Sequence, residues 1–347
     1  MKSWLRSAQV AFTFIGTVVG AGFASGKEVM QFFTRFGQWG PLLILLSTFF
    51  FVWIGAKVML LAADLKARSY EDLNKHLFGD HAGRLISHVM LIVLLCVNAV
   101  MLAGAGTIFS EHLNLGYQSG LLITIAGCFL LLRNGIESIM VINSIVVPVM
   151  MAFTVLLVYD TLQEPGANRW LTLASDLSPW AAGLSPFLYA AFNLAMSQAV
   201  LVPLGTAIGD ARTLRRGAWL GGIGIGILLL SGHMTLSARM PGISQFDIPM
   251  GGIARELGPW IHWIFVLLIF MEIFTTLVAD TYGLTLQLNS RTGLAPWIIT
   301  AALLSFCFVI GQFGFGTLLS TLYPTFGLFS LGWLFLISRD RALKPKL

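Results

Sequence analysis

The chain has 347 residues, of which 56% are hydrophobic and 11% charged, and its mean hydropathy is +0.82. Soluble domains carry about 25% charge, and a soluble monomer exposing this much apolar surface would aggregate. The composition excludes a typical cytosolic enzyme, a disordered chain and a secreted disulfide scaffold, and leaves a polytopic integral membrane protein.

A spanning helix needs about 20 mostly apolar residues, and runs of that length indicate helices rather than barrel strands. In chain order the apolar runs predict ten spans, at 7–33, 41–64, 84–110, 117–133, 136–160, 181–209, 214–236, 257–288, 293–312 and 316–338. The basic start (Lys2, Arg6) before the first run resembles a signal peptide. That run, however, holds Gly16, Gly20 and Gly22, then Lys27 and Glu28, with no small-residue cleavage site, so it reads as an uncleaved span. Cys96, Cys128 and Cys307 all lie in apolar runs without metal-ligand spacing and read as packing residues.

The net charge of +5 does not indicate nucleic acid, because no basic cluster sits beside interleaved aromatics. With the N-terminus placed inside, alternate loops give 15 Lys and Arg to the cytoplasmic side (Lys2, Arg6, Lys66, Arg68, Lys75, Arg84, Arg133, Arg212, Arg215, Arg216, Arg291, Arg339, Arg341, Lys344, Lys346). Only 4 fall outside (Arg35, Arg169, Arg239, Arg255), and Lys27 and Lys57 remain within spans. This asymmetry predicts ten spans with both termini cytoplasmic.

The polar stretch 161–180 divides the chain into 1–160 and 181–338, each with five predicted spans, followed by a tail at 339–347. An odd number inverts the second half relative to the first. The long polar link falls after the second span of each half, at 65–83 and 237–256. Inverted repeats characterise secondary transporters.

The opening span of each half is irregular. Span 1 reads Gly16-Thr17-Val18-Val19-Gly20-Ala21-Gly22-Phe23-Ala24-Ser25-Gly26-Lys27-Glu28. Glycine costs a helix about 1 kcal/mol relative to alanine and lets a ligand approach the backbone. Span 6 places Asn193, Ser197 and Gln198 near mid-membrane between Pro186 and Pro203. Both spans are expected to be discontinuous, exposing carbonyls to cations and amides to a carboxylate. The plainer reading is that Gly16/Gly20 and Gly22/Gly26 only permit close helix packing.

At these residues the chain resembles the amino acid–polyamine–organocation superfamily, with its LeuT-like five-plus-five inverted-repeat fold. Val10–Phe33 (VAFTFIGTVVGAGFASGKEVMQFF) looks like the opening of the YkvI-type amino acid permeases, and Tyr189–Gly205 (YAAFNLAMSQAVLVPLG) is similar to their sixth helix. The resemblance implies a multi-pass protein of the bacterial cytoplasmic (inner) membrane. It implies a Na⁺ site formed by the carbonyls of Gly16, Val19 and Glu272 with the hydroxyls of Thr275 and Thr276. The alternative for the two threonines is a hydrogen bond back to their own helix. A second sodium site of the kind that uses an Asn in span 1 is not expected, because Phe23 stands there. For substrate, the resemblance points to Val18, Gly20, Ala21 and Gly22 on one wall and Phe192, Asn193, Met196 and Ser197 on the other, with Asn98 nearby as a contact or an interhelical hydrogen bonder.

Lys27, Glu28, Lys57 and Glu272 lie inside predicted spans, where a charge costs about 2.5–3.5 kcal/mol on insertion scales. Lys57 is near enough to the cytoplasmic end to snorkel. Glu272, Thr276 and Asp280 share one helical face, so Glu272 is a proton-coupling candidate, with Lys27 as another. The alternative is a structural ion pair between Glu272 and Lys57 or Lys27. These readings predict a secondary transporter of an amino acid or similar small zwitterion, coupled to Na⁺ or H⁺, with no other cofactor. The alternative is a transporter-fold sensor that binds its ligand without moving it. An intramembrane enzyme is disfavoured, since the six histidines are scattered toward loops and helix ends, and no Walker motif supports ATP coupling.

Overall fold

The computed structural model describes residues 2–111, 113, 115–245, 248–313, 326 and 330–339, nearly all of them helical. Span 1 comes in three pieces, α1 (Lys2–Val18), α2 (Ala21–Ala24) and α3 (Lys27–Phe32). Then follow α4 (Gly40–Leu65), α5 (Tyr70–Phe78), α6 (Asp80–Glu111), α7 (Tyr117–Leu132) and α8 (Ile136–Thr161). A short α9 (Arg169–Thr172) leads to α10 (Pro179–Ile208), α11 (Ala211–Ala238), α12 (Pro249–Glu256), α13 (Pro259–Thr292) and α14 (Pro296–Ile310). Helices α4, α6, α8, α10, α11 and α13 are long and apolar enough to cross a membrane, while α7 and α14 are apolar but shorter. The tenth predicted span falls largely outside the described residues, although 330–339 is helical.

Local sequence sets the helix ends. Proline stands in the first turn of α4, α10, α12, α13 and α14, where its missing N–H has no intrahelical partner to lose. Asp210 caps α11, accepting from the Thr213 hydroxyl at 2.6 Å and backbone N–H at 2.9 Å. Those bonds hold its carboxyl below the usual range.

The most extensive pairings join α4 to α10, α1 to α11 and α4 to α11. A second group forms around α13, with α6, α7, α8 and α14. The first group is reciprocal between the halves: span 1 lies on span 7, and span 2 on span 6. Contact between α1 and α11 depends on Gly217 and Gly221, where a β-carbon would collide with Val10 and Phe14. The link helices correspond too, since α5 follows span 2 and packs on α6, while α12 follows span 7 and packs on α13.

Loop contacts sort into two sets at opposite ends of the bundle. One set joins Arg35 to Ser175, Gln38 to Leu173, Arg169 to Met240, and Arg239 to Asp160 and Glu164. The other joins Glu71 to Arg291, Thr206 to Ala67, and Arg216 to the Trp4 ring. No contact in either set mixes loops that the cation count placed on different sides. Lys57 is buried and donates to the carbonyl of Ser338, 3.3 Å away, at the end of the predicted tenth span.

The expected break in span 6 is absent. Helix α10 runs unbroken from Pro179 to Ile208 with Pro186 and Pro203 inside it. Two of its mid-helix polar side chains bond the helix itself, while Gln198 is buried with neither polar atom partnered among the described residues. Asn193 Nδ2 donates to Tyr189 O at 3.1 Å, and Ser197 Oγ donates to Leu194 O at 3.0 Å. Most of the helix is buried among its neighbours, so little water is available to stabilise an opened backbone.

Candidate functional site at the break in span 1

The helical ladder of α1 ends where Val19 N–H donates to Ile15 O at 2.7 Å. It resumes where Ala24 N–H donates to Gly20 O at 2.9 Å. Among the described residues no backbone N–H is bonded to the carbonyl of Gly16 or of Val19. These are the two carbonyls expected to face a cation. A second turn follows at Gly26, whose φ of 83° suits glycine. There the Ser25 hydroxyl donates to Gly22 O at 2.9 Å and accepts from Lys27 N–H at 3.3 Å.

Helix α13 faces this break. A β-carbon on Gly20 would lie 3.3 Å from Thr276 Oγ1, and that hydroxyl is buried without a hydrogen-bond partner among the described residues. The neighbouring Thr275 behaves differently, donating to Glu272 O at 3.1 Å. The two readings of the threonine pair therefore divide, with Thr275 bonded to its own helix and Thr276 turned to the break. Glu272 is fully buried, and neither carboxylate oxygen has a partner among the described residues. The ion pair with Lys57 or Lys27 is not formed. Asp280 completes the buried stripe two turns from Glu272.

Other predicted residues separate by role. Asn98 Nδ2 donates to Thr281 Oγ1 at 3.0 Å, tying α6 to α13 as an interhelical bond, while its Oδ1 has no partner among the described residues. Phe192, Asn193 and Ser197 are buried on α10, and Met196 is partly buried. Val18 is buried and Lys27 half-buried.

Two residues of the site were not picked out from sequence. Asn143 of α8 packs so closely on Gly16 that a β-carbon there would collide with it, and both its polar side-chain atoms lack partners among the described residues. An asparagine in the middle of span 5 was the available signal. Glu28, noted only as a charge within a span, folds back so that its Oε1 lies against Gly22.

Polar and backbone contacts close both ends. On the Arg239 side, Met250 N–H at the start of α12 donates to Ser25 O at 3.0 Å. Arg239 meets Asp160, Glu164 and Glu256. At the other end Glu71 of α5 accepts from Lys75 at 2.8 Å and from Gln287 and Arg291 of α13. Burial pushes the Glu71 carboxyl up, but Lys75 and Arg291 outweigh it and hold it below the usual range.

Fold and site define a multi-pass helical membrane protein with its first span broken at buried, unsatisfied polar groups. The chain belongs to the YkvI family: it is 38% identical over 331 residues to the uncharacterized membrane protein YkvI of Bacillus subtilis (strain 168), covering 94% of each chain. It is also 25% identical over 328 residues to the uncharacterized protein YyaD of the same organism, covering 94% of this chain and 95% of that one. No protein-family model matches the chain. Among solved structures, a nucleobase-cation-symport-1 family transporter, closed with bromovinylhydantoin bound, superposes with a TM-score of 0.69. Identity is 14%, and the match covers 96% of this chain and 77% of that one. A Na⁺-coupled sialic acid symporter in a substrate-bound outward-open state superposes with a TM-score of 0.71 at 11% identity, covering 95% and 78%. These likenesses establish a shared fold.

Proposed function

We propose that this protein is a secondary transporter of an amino acid or similar small zwitterion, driven by a cation gradient, with Na⁺ favoured over H⁺. The observation that carries the reading is the break itself. The carbonyls of Gly16 and Val19 have no helical partner among the described residues, and the Thr276 hydroxyl is left unbonded against Gly20. Buried polar groups are normally hydrogen-bonded, so oxygens left open together in a membrane interior point to a hard cation. The fold is shared with a Na⁺-coupled symporter, which supports the same reading.

The Na⁺ site in this reading comprises the carbonyls of Gly16, Val19 and Glu272 with the hydroxyls of Thr275 and Thr276. The substrate sits between Val18, Gly20, Ala21 and Gly22 on one side and Phe192, Asn193, Met196 and Ser197 on the other, with Asn98 nearby. Glu272, with Lys27 as second candidate, carries a proton if H⁺ contributes. The chain is organised as inverted halves at 1–160 and 181–338 with an external connector and both termini cytoplasmic, in a bacterial inner membrane. Transport proceeds by alternating access. The group α1–α3, α4, α10 and α11 moves against α6, α8 and α13, releasing the α12 cover and the Glu71 latch in turn.

Uptake of labelled amino acids into proteoliposomes under imposed Na⁺ or H⁺ gradients tests this. Gradient-dependent accumulation is expected. Ligand binding without uptake under any gradient would leave the sensor reading instead.

A further inference from the structure

The membrane interior of this protein holds a carboxylate that no described cation neutralises and that touches the break. Glu28 is 7% exposed, and its Oε2 has no hydrogen-bond partner among the described residues. Its Oε1 lies against Gly22 of α2, which brings the carboxyl group next to the break. The Tyr189 side chain lies beside the same carboxylate. That tyrosine is fixed by three rings, Phe32, Phe33 and Phe51, at centroid distances of 5.3, 4.9 and 5.9 Å. A charge held this firmly in an apolar interior needs a counter-charge to offset its desolvation.

The opposite wall offers no carboxylate: the buried polar side chains of α10 there are those of Asn193, Ser197 and Gln198. Helix α10 is unbroken, and Asn193 adds a further donor to the Tyr189 carbonyl. A protonated amine entering beside Gly22 meets the Glu28 carboxyl group, whose Oε2 has no partner among the described residues.

We propose that Glu28, beside Gly22, receives the protonated amino group of the transported molecule, which restricts the cargo to compounds carrying a cationic amine. This rests on the transporter reading and names its substrate class. The test is a thermal-shift screen of the purified protein, in Na⁺, against the free amino acids and their N-acetyl derivatives. Native-state ligands raise apparent stability by mass action. Free amino acids are expected to stabilise the wild type and their N-acetyl forms to leave it unchanged. Glu28→Gln is expected to weaken binding about 10- to 100-fold, the loss of one charge-assisted hydrogen bond, and Glu28→Asp to recover part of it. The proposal is overturned if N-acetyl forms bind as well as their parents, if no free amine stabilises the protein, or if Glu28→Gln binds normally. The N-acetyl comparison uses the wild-type chain, so it decides the matter even where a variant fails to fold. Proteoliposome uptake separates the two readings. Amines that bind but are never accumulated sink transport and leave Glu28 in place, whereas unchanged uptake by Glu28→Gln removes Glu28 and leaves transport standing.

Discussion

Thr276 of α13 stands against Gly20 at the break in span 1, its hydroxyl 3.3 Å from where a β-carbon of residue 20 would sit. The contact joins the two moving parts of the proposed cycle, and it exists because residue 20 has no side chain. A small β-carbon would already be tight there. Gly20→Leu would fill the space that a cation and substrate need. The expected result is an inserted, folded protein that no longer binds amino acids, read by size-exclusion profile and thermal shift. Unchanged affinity would show that the glycines serve packing alone.

The two threonines should separate experimentally. Thr275 spends its hydroxyl on Glu272 O at 3.1 Å, whereas the Thr276 hydroxyl has no partner among the described residues. Thr276→Ala is expected to lower apparent Na⁺ affinity more than Thr275→Ala, with a loss of about tenfold or more for a ligand worth about 1.4 kcal/mol. Na⁺ titration of ligand binding gives both values. Na⁺ dependence surviving in the double variant would place the site elsewhere.

Glu272 contributes a backbone carbonyl to the proposed Na⁺ site, while its side chain is buried with both oxygens unbonded among the described residues. Glu272→Gln is therefore expected to preserve Na⁺ stimulation and to remove any uptake driven by a pH gradient alone. Uptake measured under each gradient separately distinguishes the two. Loss of both would mean that the carboxylate itself binds the cation.

The Glu71 latch has a predictable acid limit. Lys75 and Arg291 overcome the effect of burial and hold the Glu71 carboxyl below its ordinary value. A depressed carboxylate contributes stability that is fully present above its unfolded pKa and is lost as pH falls through the folded value. The latch should thus be intact at neutral pH and fail only below the ordinary carboxylate range. Glu71→Gln should remove about 1.5–3 kcal/mol of the interaction between α5 and α13. Faster amide exchange in α5 and in the 287–292 end of α13 would report it, and unchanged exchange would show that the latch carries no closing energy.

Asn143 packs on Gly16 with both polar side-chain atoms unbonded among the described residues. Gly16→Ala is expected to disturb α1 against α8 and lower thermal stability even without ligand. Gly20→Leu, by contrast, should act mainly on binding. Equal stability losses in the two variants would contradict this division.

Much of the architecture follows from one-dimensional properties. Apolar runs locate helices because the bilayer tolerates no unsatisfied backbone, and α4, α6, α8, α10, α11 and α13 stand where those runs predicted them. Loop cations sorted the loops into two groups, and the structure brings Glu71 of one link to Arg291 of another at one end and Arg239 to Asp160 at the other. The run of glycines located the break in span 1, because low helix propensity and freedom from a β-carbon are local properties of the chain.

What the tertiary structure alone decided is how each polar group is satisfied. Nothing in the residues of span 6 reveals that Asn193 and Ser197 bond their own helix and leave α10 whole. Nothing in Thr275-Thr276 says which hydroxyl is committed to its helix and which is open. Nothing in the sequence around Lys57 says that its ammonium holds the carbonyl of Ser338, 281 residues away. Hydrogen-bond partners depend on which helix lies opposite and at what rotation, and hydropathy carries neither. The scarce charge in an 11%-charged chain marked candidate residues, while their three-dimensional neighbours determined that Glu28 lies against Gly22 and that Glu272 is buried with neither oxygen bonded among the described residues.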